Sequence, residues 1–208
     1  MRSMITAHAG AENTVANTVE SLKKLAQTGV DCIEMDVRRA PDGPLVLSHN
    51  PVQTAEGSAT LEQGLLAVAD VPGLRVNIDL KQEGLIASVA EVARATGMEK
   101  RILFTGSAGD DELPYAIEHA LPVWYNRFLL PPIAWADPFR AIRRKGLSVL
   151  NVYWRLPGET MLRTHPGELS LWTVDAPEDQ ARLLRFGVAN ITTRFPCEAM
   201  RLRETLSL

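Results

Sequence analysis

Hydrophobic positions fall in short runs that alternate with longer amphipathic stretches along the whole chain. The runs at residues 4–8, 32–38, 75–81, 101–105, 122–126, 148–154, 169–174 and 189–193 have the length and apolar content of buried strands. Between them the apolar spacing becomes helical. The clearest case is residues 14–27, where Val15, Val19, Leu22 and Leu25 share one face and Gly29 supplies a stop. Further helices are predicted at 61–68, 85–95, 111–119, 138–145, 159–163, 178–186 and 197–206. Strands that are each followed by a helix, with no block of consecutive strands, predict an α/β fold with a parallel sheet. A doubly wound sheet is the alternative. Similar unit lengths and the count of eight units favour a (β/α)8 barrel. No low-complexity linker divides the chain, so residues 1–208 are expected to form one domain.

Composition and charge narrow the function. The chain is 46% hydrophobic and 23% charged, a mix that suits a soluble globular protein. Its net charge is −3 and no long run of one sign occurs, which argues against a nucleic-acid partner. The cluster Arg140, Arg143, Arg144 and Lys145 lies at helical spacing and reads as the solvated end of a helix. Cys32 and Cys197 are far apart and form no C-x-x-C, so neither a disulfide framework nor a zinc site is indicated. Cys32, inside an apolar strand, reads as a small buried hydrophobe. A basic start followed by about 7–15 apolar residues is missing, as is any apolar stretch of about 18 residues. A cytoplasmic location without a membrane span is therefore expected; the oligomeric state is not legible.

Candidate chemistry comes from polar residues at alternate strand positions. In residues 32–38, Ile33, Met35 and Val37 share one face, and Cys32, Glu34, Asp36 and Arg38 the other. In residues 75–81, Val76, Ile78 and Leu80 oppose Asn77, Asp79 and Lys81. The apolar faces should pack on helices, which leaves the polar faces to point into the barrel toward its C-terminal mouth. Three carboxylates converging in a low-dielectric site repel one another unless a cation lies between them. A hard divalent ion, Mg2+ or Ca2+, suits such oxygen ligands. A buried salt-bridge cluster, with Glu34 paired to Arg38 or a lysine, is the alternative. Residues 36–49 read as two extended stretches joined by a Pro41-Asp42-Gly43 turn. A turn centred between Asp42 and Gly43 places Asp36 opposite His49, about 5 Å away. His8 ends the first strand and reaches the same mouth. Two imidazoles that titrate near neutrality suit acid–base cleavage of a phosphodiester.

These residues carry a family resemblance. Ala7-His8-Ala9-Gly10 with Glu12-Asn13-Thr14 resembles the H-R-G…E-N-T opening of the glycerophosphodiester phosphodiesterases. Glu34-Met35-Asp36-Val37 is similar to their E-x-D-V pair, and Ser48-His49-Asn50 stands at their H-D. Thr60-Leu61-Glu62 resembles the start of their second barrel helix, and Asn77-Ile78-Asp79-Leu80-Lys81 their N-I-E-x-K. Trp172-Thr173-Val174 and the 187–192 segment resemble their W-T-V and G-V-D-G-I-I-T. The resemblance implies a barrel that cleaves a small-molecule phosphodiester with a divalent cation. It implies Glu34, Asp36 and Asp79 as metal ligands, His8 and His49 as the acid–base pair, and Lys81, Glu12 and Trp172 at the substrate. Ala9, Asn50, Asp79 and Thr193 depart from the family's arginine, aspartate, glutamate and aspartate. The short stretch between His49 and Thr60 implies that the usual inserted subdomain is reduced or absent, with a more open mouth. A lyase that releases a cyclic phosphate, and a barrel that binds a phosphorylated ligand without turnover, are the competing functions.

Overall fold

The computed structural model describes residues 2–206. Its elements run β1 (Met4–Ala7), α1 (Val19–Ala26), β2 (Cys32–Arg39), β3 (Leu45–Leu47), α2 (Leu61–Val68), β4 (Arg75–Leu80), α3 (Ile86–Ala95), β5 (Ile102–Gly106) and α4 (Leu113–Glu118). They continue with β6 (Trp124–Asn126), α5 (Pro138–Arg144), β7 (Val149–Tyr153), α6 (Glu159–Thr164), β8 (Leu169–Trp172), α7 (Pro177–Phe186), β9 (Asn190–Thr193) and α8 (Pro196–Thr205). Eight strands lie parallel in the order β5-β4-β2-β1-β9-β8-β7-β6. The two ends of that order meet. Phe104 N–H donates to Pro122 O at 2.8 Å, and Phe104 bridges to Val123 in parallel. The sheet therefore closes into a (β/α)8 barrel, which removes the doubly wound alternative.

The apolar face of each strand is buried under the helices, as alternation requires. Ile33, Met35, Val37, Val76, Ile78 and Leu80 are at most 1% exposed and belong to one core. Each such side chain contributes roughly 1.5–3 kcal/mol on burial. Helix α2 reaches that core closely because Gly64 has no side chain: a Cβ there would lie 2.7 Å from Leu47 Cδ1. A capping box starts α2. Thr60 N–H donates to Gln63 Oε1 at 2.9 Å, and Gln63 N–H donates to Thr60 Oγ1 at 3.2 Å. No helix or strand lies between β3 and α2, so no inserted subdomain stands there, as the short stretch before Thr60 implied.

Two local expectations need correction. The helix predicted at 14–27 begins only at Val19. Asn17 adopts a left-handed φ of 61°, and Thr18 caps the helix through its side chain, so the preceding turn cannot be helical. Val15 is consequently 72% exposed rather than on the buried face. The hairpin register also differs by one residue. Val37 pairs with Leu47 and Arg39 with Leu45, so the turn centres on Asp42 and Asp36 lies opposite Ser48. Gly43, with φ of 111°, takes a backbone conformation that other residues avoid.

Candidate active site

A cavity of about 280 Å3 opens at the C-terminal ends of the barrel strands, with His8, Glu34, His49, Asp79, Lys81 and Trp172 on its wall. Parallel pairing explains the convergence. Glu34 is in register with Asn77 and Asp36 with Asp79, so alternate positions of β2 and β4 project side by side into the barrel. Oxygens of Glu34, Asp36 and Asp79 lie within 4.8 Å of one another. Glycine at position 106 is required here. It ends β5 with φ of 81°, and a Cβ would collide with Asp79 Oδ1 and the Leu80 backbone.

Lys81 is the cation of this cluster. Its Nζ lies 2.8 Å from Asp36 Oδ1 and also bonds Asp79 Oδ2. Arg38 takes no part: its guanidinium donates to His49 O at 3.0 and 3.1 Å. Glu34 is left with Asn77 Nδ2 at 3.3 Å and His8 Nε2 at 3.7 Å. Burial, followed by the charges of Asp79 and Asp36, pushes the Glu34 carboxyl well above its ordinary range. Burial also raises Asp79, although Lys81 opposes it by charge and hydrogen bond. Burial acts in the same sense on Asp36, but there Lys81 and the Asn17 side chain prevail and hold the carboxyl below its usual value. Burial disfavours the Lys81 ammonium, yet Asp79 and Asp36 outweigh it and raise its pKa. With three carboxyl groups against one ammonium, two of them driven toward the protonated form, the cluster lacks positive charge. That deficit and the converging hard oxygen donors fit a divalent cation.

The two histidines approach this cluster from opposite strands of chain. His8 Nδ1 lies 2.8 Å from Ala9 O. A carbonyl only accepts, so Nδ1 carries the proton and Nε2, on the Glu34 side, holds the lone pair in the neutral ring. His49 Nδ1 lies 3.5 Å from Asp36 Oδ2. The imidazole thus comes beside Asp36 despite the shifted hairpin register, because the chain turns out of β3 after Leu47. Trp172 lines the mouth, and its indole N–H is buried without a partner among the described residues.

Glu12 does not join them. Its carboxylate accepts from Cys197 N at 3.0 Å, at the start of α8, and lines a different cavity with Asp175 and Arg201. The Asn-Thr pair that enters the site is the second one in the sequence, Asn17-Thr18. Asn17 Nδ2 donates to Asp36 Oδ2 at 2.8 Å, and its Oδ1 accepts from Asp36 N at 3.1 Å. The signal was Thr18 as an N-cap candidate three residues before Ser21, which the helical pattern of 14–27 masked. Thr105 was also missed; it bonds Asn77 Oδ1 at 2.9 Å and Asp79 Oδ1 at 3.4 Å. Cys32 is buried as expected, and burial pushes its thiol up to about 12. Trp124 lies with Ala120 and Gly146 at the other end of the barrel, away from the mouth.

This geometry defines a class: a (β/α)8 barrel whose mouth joins a hard-cation donor set to two imidazoles. Residues 8–103 match the model of the "Glycerophosphoryl diester phosphodiesterase family", a span that contains His8, Glu34, Asp36, His49, Asp79 and Lys81. The chain is 26% identical to glycerophosphodiester phosphodiesterase GDPD4 of Arabidopsis thaliana, over 98% of this chain and 74% of the relative. It is 25% identical to a glycerophosphodiester phosphodiesterase of Caldanaerobacter subterraneus, over 94% of this chain and 96% of that one. The fold superposes on the crystal structure of a glycerophosphodiester phosphodiesterase from Parabacteroides distasonis, with TM-score 0.79 and 19% identity over 100% and 99% of the two chains. It also superposes on a phosphodiesterase of Oleispira antarctica in complex with the product sn-glycerol-3-phosphate, with TM-score 0.78 and 18% identity over 97% and 96%. Over residues 8–103 the chain is similar to the glycerophosphodiester phosphodiesterase family, and the likeness to the solved structures shows the fold. No helix among the described residues is long and apolar enough to cross a membrane.

Proposed function

We propose that this chain is a cation-dependent phosphodiesterase that cleaves glycerophosphodiesters to glycerol phosphate and an alcohol. The observation that carries the reading is the meeting of three carboxylates, within 4.8 Å, with an imidazole against each of two of them. The product named in the Oleispira antarctica complex is of the chemical class this reading requires.

Glu34, Asp36 and Asp79 would hold a divalent cation, Mg2+ or Ca2+, which would supply Lewis acidity when bound. His8 Nε2 is the base that takes the proton from the substrate's vicinal hydroxyl. That hydroxyl oxygen forms a bond to phosphorus, and the bond from phosphorus to the leaving alcohol breaks. His49 gives its proton to the departing oxygen. Water then opens the resulting cyclic phosphate with the two histidine roles reversed, so both rings return to their starting states. Lys81 has a third N–H beyond those bonded to Asp36 and Asp79, and it offsets charge on the phosphoryl group. Trp172, on the wall of the mouth, borders the bound diester.

Hydrolysis of glycerophosphocholine with Mg2+ or Ca2+, followed by product analysis, tests this. Glycerol phosphate is the expected end product, and His8→Ala and His49→Ala should each cut kcat by about 10²–10⁴-fold with the fold intact. Wild-type rates in either variant contradict the assignment. Cyclic phosphate as the final product would make the chain a lyase instead.

A further inference from the structure

The mouth continues into a second cavity, of about 230 Å3, whose character is different. Phe128, Asn151 and Trp172 line both, so the two adjoin. Residues 127–136, after β6, and the turn after β7 supply the remaining wall with Trp135, Tyr153 and Leu156. Phe128 is 60% exposed, Leu156 54% and Trp135 47%, and Ile133, in the same loop, is 89% exposed. So much apolar surface gathered on one rim marks a binding surface.

The wall is preformed. Trp135 Nε1 donates to Leu130 O at 3.3 Å, and the Arg127 guanidinium lies 4.9 Å from the Trp135 ring centre. Tyr153 packs against Trp172 with ring centres 6.0 Å apart. The lining holds no acidic residue, and its one charge, Arg127, is positive. An aromatic wall alone would also suit a quaternary ammonium. Here the guanidinium already covers Trp135, and no carboxylate attracts a cation. Hydrocarbon is the occupant that satisfies this wall without an electrostatic cost.

We propose that this groove takes the alkyl or acyl chain of a single-chain phosphodiester whose phosphate lies in the acidic mouth. The inference rests on the phosphodiesterase reading and adds a substrate class to it. The chain reaches the groove from either half of the substrate, as an ester on the glycerol or as the leaving alcohol itself.

The test compares three substrates below their micellar concentrations: glycerophosphocholine, its dodecanoyl ester on glycerol, and the glycerophosphodiester of dodecanol. At least one chain-bearing substrate should exceed glycerophosphocholine in kcat/KM by about tenfold or more. The arm with the advantage identifies the half that carries the chain. Leu156→Asp and Trp135→Ala should remove that advantage and leave glycerophosphocholine turnover within about twofold. Equal kcat/KM on all three, or an equal loss on all three in both variants, overturns the groove and leaves the phosphodiesterase reading standing. If no glycerophosphodiester is cleaved, that reading fails, and calorimetric binding of dodecyl and butyl phosphate decides the groove by itself. Binding at least about tenfold tighter for dodecyl phosphate, lost in Leu156→Asp, is expected. Equal affinities overturn it.

Discussion

The two halves of the barrel interior solve the problem of buried polar groups differently. Around β6 to β9 and β1 the inward amides and hydroxyls are neutral and hydrogen-bond one another. Asn190 accepts from Thr6 at 2.7 Å and donates to Ser170 at 3.0 Å and Thr192 at 3.2 Å. Asn126 accepts from Asn151 at 3.0 Å and from Gly106 N at 2.9 Å. Such a network costs little once every member is paired. Around β2 and β4 three inward carboxyl groups converge, and the one lysine among them bonds only two. Nothing in folding requires that arrangement, and a carboxyl as strongly perturbed as Glu34 is what a functional site produces. The neutral half is paired within itself; the acidic half is the one that the proposed cation would occupy.

Variants separate the halves. Glu34→Gln removes a proposed cation ligand and should lower kcat/KM by about 10³-fold with no loss of thermal stability, measured by steady-state kinetics beside calorimetry. Asn190→Ala should do the reverse. It strands the Thr6 hydroxyl and should cost about 2 kcal/mol in urea unfolding, while kcat/KM of the folded protein stays within about twofold. An Asn190→Ala protein that keeps its stability and loses activity would erase the distinction.

Asn17 sits on the boundary, because it holds Asp36 without facing the cavity. Asn17→Gly keeps the left-handed backbone accessible and deletes both hydrogen bonds. Cation affinity from calorimetric titration should weaken about tenfold, with maximal kcat restored at saturating cation. Unchanged affinity would show that Asp36 needs no such support.

The pH dependence sharpens the comparison further. Glu34 binds its proton more tightly folded than unfolded, so in cation-free protein its ionisation costs stability as pH rises from the ordinary value of 4.5 through the raised one. Asp79 acts in the same sense. Asp36 acts oppositely: its stabilisation is present above the ordinary value of 3.8 and is lost as pH falls through its depressed one. Melting temperatures in chelator should therefore fall over the Glu34 window more steeply in wild type than in Glu34→Gln. Parallel curves would place Glu34 in an ordinary environment.

Much of this was legible in the sequence. Each of the eight parallel strands lies where a short apolar run stands, and the alternation Glu34/Asp36 and Asn77/Asp79 already put the polar set on one face. What escaped was set by contacts distant in sequence or by single backbone angles. Asn17 lies within an unbroken helical pattern, and only its left-handed φ and its bonds to Asp36, 19 residues away, take it out. Glu12 matched a motif by order, but the loop directs it to α8. The amides of β6, β7 and β9 stand in short strands, and nothing local says that each bonds an in-register residue on a neighbouring strand. The loop at 127–136 combines Leu130, buried in the core, with Ile133 in solvent, a split that apolar composition alone does not reveal.

The most direct test is a crystal structure grown with Mn2+, with the ion located by anomalous scattering. A single ion bonded to Glu34, Asp36 and Asp79 together, beside His8 and His49, is the predicted result. An ion bound elsewhere, or a mouth in which Lys81 keeps both aspartates and no ion enters at saturating Mn2+, would contradict the account.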